Sequence, residues 1–291
     1  MHRRLSGLRP FHVFNAFVMG LVCITFLYPF IYTFSLSISD ARYIFEGSIY
    51  LWPKGVNIEA YRAIFSDKSL VNSFFFTLLL TVTGVVGSIL MTTLAAYPLS
   101  KTRLKGSGLI MRLIVFTMYF SGGLIPNYIL VKSMGLLNTM GALIFPEIIH
   151  TFLLIIMINF LRGIPVELEE AARVEGASVI GILMRIIIPL SKPVIATLTV
   201  YYAVSYWNMF FQALIYITSP ALYTLQIKLY QVLNVFMDDI KNTLDAEAAK
   251  AVINENMKAA MVIVVTFPIL FVYPFLQRYF IKGMTLGALK G

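Results

Sequence analysis

Cysteine and histidine are nearly absent from this chain: Cys23 stands alone, and the histidines are His2, His12 and His150 in 291 residues. One thiol excludes an intramolecular disulfide framework, and three scattered imidazoles give no metal set. No Ser-His-Asp or Cys-His grouping is recognisable by spacing either. The phosphate-cradling GxxxxGK[ST] loop is missing, so ATP hydrolysis by this chain is not expected. Charge is scarce as well. Asp, Glu, Lys and Arg make up 13% of the residues, against about 25% in ordinary soluble domains. No repeat, low-complexity tract or flexible domain linker interrupts the sequence.

What fills the space is apolar. The chain is 59% hydrophobic with a mean hydropathy of +0.82, which places it in a membrane. A crossing helix needs about 20 mostly apolar residues, because unpaired backbone groups cannot be left in hydrocarbon. Six runs satisfy this, at about 12–38, 70–99, 111–131, 140–162, 193–218 and 259–278. The expectation is an all-α membrane protein of six transmembrane helices forming a single transmembrane domain over 1–291. The first run is too long for a signal-peptide core and lacks a small-residue cleavage site, so it is read as a retained helix.

The formal charge of +9 invites a nucleic-acid reading until the positive residues are placed. Cytoplasmic loops are enriched in Lys and Arg. With the amino terminus inside, the inner segments hold Arg3, Arg4, Arg9, Lys101, Arg103, Lys105, Arg112, Arg162, Arg173, Arg185, Lys192, Arg278, Lys282 and Lys290, but only four of the 14 acids. The basic excess is thus an orientation signal, no nucleic acid is needed, and both termini are expected in the cytoplasm.

On that topology the segment 163–192 is a cytoplasmic loop, and its chemistry is concentrated. Pro165 suits the first turn of a helix. Glu167, Glu169 and Glu170 follow where the helix dipole favours acids, and Gly176 is a plausible stop. Glu169 and Arg173 stand four apart in the favourable order, while Ala171 and Ala172 leave a shallow face for another protein. A second apolar stretch, Val179 to Ile188, precedes Pro189 and Pro193, which break the chain before the next run. The expected shape is a two-part elbow on the inner membrane face. A solvated connector would have the same charge content.

Spacing separates the two readings. Glu170-Ala171-Ala172, then Gly176-Ala177, then Ile186, Ile188 and Pro189, closely resembles the "EAA" signature of permease subunits in binding-protein-dependent ABC importers, with Ile188 where Leu is commoner. A second Glu-Ala-Ala, at 247–249, lacks the following Gly and lies in the expected outer loop 219–258. The Trp207-Asn208 pair and the tail Gly283 to Gly291 resemble the shorter permease subunit of the maltose type, and the resemblance covers nearly the whole chain. It implies a type I importer fold with cytoplasmic coupling helices that dock on an ATPase through Glu170, Ala171, Ala172, Gly176, Ala177 and Pro189. It also implies a bacterial inner-membrane location, a second homologous permease, two ABC ATPase copies that use ATP and Mg, and an extracytoplasmic solute-binding protein. This chain would bind no cofactor.

For the cargo, near-absence of intramembrane charge disfavours an ion pump. Tyr202, Tyr206, Trp207, Asn208 and Gln212 crowd the fifth run, and aromatic faces with interspersed amides suit sugar rings; packing against neighbours or lipid is the plainer role for each. Glu147 and His150, three apart, would share a helix face on the pathway, or Glu147 would simply reach the outer interface. The resemblance turns Tyr223, Gln226, Tyr230 and Gln231 toward the binding protein, and it implies a carbohydrate cargo, an oligosaccharide, with acidic ones such as alginate among the candidates. The competing reading is an integral-membrane enzyme or scaffold whose cytoplasmic loop binds a partner.

Overall fold

A computed structural model of the chain describes residues 10–101, 103–239 and 255–271. The described residues are helical with connecting turns and contain no strand. They group into two compact units, one from the chain up to Lys68 together with Leu229–Phe267, the other from Ser69–Lys228 and the segment after Phe267. The second Glu-Ala-Ala, the tail Gly283 to Gly291 and part of the sixth apolar run lie outside the described residues.

In the first unit, helix α1 (Pro10–Ser37) is followed by α2 (Ala41–Phe45) and α3 (Glu59–Ser66). Asp40 caps α2, its carboxylate accepting from the Arg42 amide at 2.9 Å. The end of α1 is closed from a distance: the Asn256 amide donates to the Leu36 and Ser39 carbonyls at 2.8 and 3.1 Å. The Leu36 carbonyl also accepts from the Ser39 amide at 3.3 Å, and the Asn256 side chain adds a donor where the helix runs out of its own. Ser37, fully buried, shares a 2.7 Å hydrogen bond with the Tyr61 hydroxyl. Burial lifts the Tyr61 phenol above its ordinary value, the Ser37 bond pulling the other way, so it remains a neutral tie between α1 and α3.

The second unit starts with α4 (Lys68–Leu99), which with α1 is one of two described helices long and apolar enough to cross a bilayer. Then follow α5 (Ser107–Tyr119), α6 (Leu124–Ser133), α7 (Met140–Ile144) and α8 (Thr151–Arg162). Next come α9 (Val166–Val174), α10 (Val179–Ile182), a π turn (Leu183–Ile187), α11 (Ile188–Leu190), α12 (Lys192–Trp207), α13 (Phe211–Tyr216) and α14 (Leu225–Asp239), the last passing into the first unit. A further helical segment spans 255–271.

Sharp bends occur at three places, two inside apolar runs and the third at Ser191, at the end of the 163–192 loop. α5 and α6 meet at 114° across Phe120–Gly123, where Gly123 takes φ +87°, a conformation glycine adopts without Cβ strain. α7 and α8 are bent by 51° at a break after the short 3₁₀ turn Phe145–Glu147. The helical geometry is lost at that break, where His150 takes extended backbone (φ −85°, ψ 117°). The third bend, 79°, separates α10–α11 from α12. Each bent pair is apolar enough to be one broken span, giving up to five among the described residues.

The core of this unit runs along α4, α8 and α12, with Leu80, Met157, Ile158, Leu198 and Tyr206 essentially inaccessible. α4 buries two pairs of small hydroxyls, each four apart: Ser73 with Thr77, and Ser88 with Thr92. Ser88 pairs with the Tyr206 hydroxyl at 2.9 Å and Thr92 with the Tyr202 hydroxyl at 2.7 Å. Thr77 accepts from the Leu225 amide at 2.8 Å. In lipid, where apolar side chains gain nothing by meeting each other, small residues and interhelical hydrogen bonds hold helices together. Between the hydroxyls, Gly84 receives the Tyr206 ring: a Cβ there would lie 2.8 Å from three of its carbons. Gly84→Ala is therefore expected to destabilise by about 1–3 kcal/mol through overpacking. A lower thermal midpoint in detergent, relieved by Tyr206→Leu, would verify the contact; an unchanged midpoint would refute it.

Candidate functional site

The elbow forms as its turn chemistry dictates. α9 begins directly after Pro165 and carries Glu167 and Glu169 in its first turn, at the positive end of the helix dipole. At its other end the Gly176 amide donates to the Arg173 carbonyl at 3.0 Å and the Ala177 amide to the Ala172 carbonyl at 2.9 Å. With Gly176 at φ +85°, this is a Schellman closure, in which a left-handed residue satisfies the last carbonyls. Ser178 then caps α10 through the Gly181 amide at 3.1 Å. The π turn lies just before Pro189; there the Ile188 amide reaches back to the Leu183 carbonyl. A widened turn accommodates a ring that cannot donate and that would crowd the carbonyl four residues earlier. Two short helices, α9 and α10, thus follow one another around the Gly176 turn.

The two adjacent glutamates of α9 have opposite fates. Glu169 is buried, and Lys101, just beyond the end of α4, donates to its Oε1. Tyr97 adds a 3.3 Å bond to Oε2, and the Lys101 ammonium lies 4.4 Å from the Tyr97 ring centroid. The expected helix-surface pairing of Glu169 with Arg173 is not what forms. Glu169 faces inward instead, because burying a carboxylate requires a cation and further donors, which Lys101 and Tyr97 supply. Glu170 is exposed and lies 3.5 Å from Arg103, itself in water. Ala172 is buried while Ala171 is open, so α9 is pinned along one face and presents Glu170 and Ala171 on the other. Tyr97 and the partnership of Glu169 with Lys101 are not readable from the sequence, because the pairing joins residues 68 apart, beyond any local rule.

Ser191 stands at the bend before α12, fully buried, with no hydrogen-bond partner for its hydroxyl. An unpaired buried hydroxyl costs about 1–3 kcal/mol. Ser191→Ala should accordingly raise the thermal midpoint, by an amount corresponding to about 1 kcal/mol; a lowered midpoint would mean that the hydroxyl is bonded.

The aromatic cluster is used mainly for packing in this conformation. Tyr202 and Tyr206 are buried, their rings stacked with centroids 6.5 Å apart, and both hydroxyls are engaged by α4. Tyr202 also accepts from the His150 amide at 3.1 Å. Trp207 is buried with its ring edge-to-face on Phe74. Asn208, exposed, closes α12 by donating to the Val204 carbonyl at 3.0 Å, and Gln226 donates to its Oδ1 at 3.4 Å. Glu147 and His150 do not share a helix face, because the chain breaks between them: Glu147 ends the 3₁₀ turn and His150 precedes α8 in extended backbone. Glu147 instead accepts from Gln212 at 3.1 Å, which joins the two carrying segments. Tyr223 donates to the Thr218 carbonyl at 3.3 Å, under the Lys228 ammonium at 5.4 Å from its ring centroid. Tyr230 and Gln231 follow on α14, Tyr230 exposed and Gln231 half-buried.

The whole chain is 42% identical to protein LplC of Bacillus subtilis strain 168, covering 98% of that protein. It is 38% identical, over 94% of its length and 95% of the other, to the polygalacturonan/rhamnogalacturonan transport system permease protein YtcP of the same strain. Among solved structures it is similar to a chain of a bacterial ABC transporter involved in the import of the acidic polysaccharide alginate. That match has a TM-score of 0.85 at 32% identity, over 96% of this chain and all of that one. The family of binding-protein-dependent transport system inner membrane components matches residues 4–286. The chain belongs to that family, and it is a non-catalytic permease subunit of an ABC transporter.

Proposed function

We propose that this permease, together with a second homologous permease chain, forms the membrane passage for an oligosaccharide delivered by an extracytoplasmic binding protein, and that two copies of a cytoplasmic ABC ATPase drive it through the elbow. The observation that carries this is α9, fastened to the end of α4 by the buried Glu169–Lys101 pair and closed by Gly176, with Glu170 and Ala171 left outward. A helix held this way transmits a rigid displacement into the transmembrane helices, as alternating access requires, where a loose loop would absorb it. Six crossings with both termini in the cytoplasm are part of the same proposal. So are the coupling roles of Glu170, Ala171, Ala172, Gly176, Ala177 and Pro189.

For the cargo, two supports coincide: YtcP is described as carrying polygalacturonan and rhamnogalacturonan, and the solved alginate importer takes up an acidic polysaccharide. An acidic oligosaccharide is therefore the substrate class proposed. Glu147, His150, Asn208 and Gln212 are the polar pathway candidates, with Tyr202, Tyr206 and Trp207 shaping the wall behind them. Tyr223, Gln226, Tyr230 and Gln231 are proposed to meet the binding protein. An enzyme or scaffold reading has no such support.

The test is reconstitution. The permease pair should copurify with the ATPase, cysteines at Ala171 should crosslink to it, and loaded binding protein should stimulate ATP hydrolysis. A chain that purifies alone, or crosslinking at Ala171 only from the cell exterior, would reject the assignment.

A further inference from the structure

We propose that the loop between α2 and α3 is an interfacial anchor, with Trp52 and Tyr50 seated in the lipid headgroup layer at the membrane face where α1 ends. The proposal requires only that α1 crosses the bilayer. The loop is folded back on the end of α1 by four hydrogen bonds: Ser35 Oγ donates to the Leu51 carbonyl at 2.7 Å, the Asp40 amide to the Lys54 carbonyl at 3.0 Å, the Lys54 amide to Ser39 Oγ at 3.1 Å, and the Asn57 amide to the Ile38 carbonyl at 2.9 Å. Residues 51–57 are thereby held level with residues 35–40, the last turn of α1 and the residues just beyond it.

Helix length fixes that depth. The apolar stretch Phe11–Ser37 has 27 residues, about 40 Å at 1.5 Å each. The hydrocarbon core is about 30 Å thick and the bilayer with its headgroup regions about 40–45 Å. A centred α1 therefore ends among the headgroups, and tilt would draw the end closer to the acyl chains. At that level the loop exposes Trp52 at 80%, Val56 at 74% and Tyr50 at 68%, with Leu51 and Ile58 also open. So much apolar surface on one short loop is costly in water. An indole or phenol with an apolar body and a polar tip is best placed where one end is wet and the other is not. Lys54, exposed between Trp52 and Val56, can extend its ammonium to lipid phosphates.

The chain has only two tryptophans, so the emission of wild type minus that of Trp52→Phe isolates Trp52. The full chain, alone and in the assembled transporter, is placed in phosphatidylethanolamine–phosphatidylglycerol vesicles containing a phosphatidylcholine brominated just below the headgroup. The expected result is a blue-shifted Trp52 emission, largely lost with the brominated lipid and little affected by aqueous iodide. Should Trp52→Phe insert poorly, Trp207→Phe leaves Trp52 as the chain's own reporter. Quenching by iodide and not by brominated lipid would overturn the proposal, because the loop would then stand in water. Protection from both quenchers in the assembled transporter would overturn it too, by placing a protein partner on the loop.

Discussion

Glu169→Ala is expected to cost this protein about 3 kcal/mol, near the low end of the penalty for breaking a buried ion pair. The loss comes less from the attraction removed than from the cation left behind: Lys101 is held under the end of α4 with 30% of its side chain exposed, against 6% for Glu169. That residual exposure keeps the figure at the low end. Tyr97 would lose its acceptor as well. Removing both charges should be far milder, since an apolar pair of similar volume in place of a buried ion pair is often neutral. Glu169→Leu with Lys101→Met is therefore expected to recover most of the midpoint lost by Glu169→Ala. Glu170→Ala, one residue away, should leave the midpoint unchanged, because its partner Arg103 is solvated and exposed pairs contribute little. Thermal unfolding of the four variants in one detergent is the measurement. Equal losses at 169 and 170 would contradict the inward and outward assignment of the two carboxylates.

The second large effect concerns coupling rather than folding. Glu170→Lys reverses the charge that α9 presents and places it beside Arg103. On the proposed docking, the ATPase would lose a charge partner. Losing a paired interface charge costs about 2 kcal/mol or more, so assembly should weaken about thirtyfold or more, with insertion intact. Gly176→Leu should produce the same phenotype through the backbone. The obstacle there is not space, since a Cβ at Gly176 would meet nothing within 4 Å; it is the left-handed φ of +85°, which costs an ordinary residue about 1–2 kcal/mol. Gly176→Asn, which tolerates that conformation, should retain function. Full uptake in both Glu170→Lys and Gly176→Leu would remove the elbow from the coupling pathway.

The elbow was legible in the sequence because its signals are local. Acids in the first turn and Gly176 after the helix are rules about neighbouring residues and are found as expected, with Pro165 one residue earlier, at the N-cap. Pro189 and Pro193 do not break the chain as expected, since helix runs through both and the bend falls between them at Ser191. The spans were legible only as apolar runs. Counting apolar residues does not register that Gly122-Gly123 permits a 114° bend or that the chain leaves the helix between Glu147 and Thr151, and the helix face expected to hold Glu147 and His150 is lost at that second break. Glu169 was assigned to Arg173 because helix spacing considers only its own helix, whereas the carboxylate is claimed by a lysine 68 residues earlier. The hydroxyls of α4 carried a readable signal, two pairs spaced four apart, but Ser and Thr do little to lower the hydropathy of a run and were passed over.

The second of those pairs has a geometric consequence. Ser88 and Thr92 are four apart on α4, and their partners Tyr206 and Tyr202 are four apart on α12. Sliding α12 by four residues, about 6 Å, would set Tyr202 against Ser88 but leave Tyr206 and Thr92 without their partners, so the shifted alignment keeps one of the two hydroxyl pairs. Two teeth in two notches therefore mark the alignment, because a slide strands a buried hydroxyl, at a cost of about 1–3 kcal/mol. Gly84 is the keyway of that alignment, leaving the space in which the Tyr206 ring lies 2.8 Å from where a Cβ would stand.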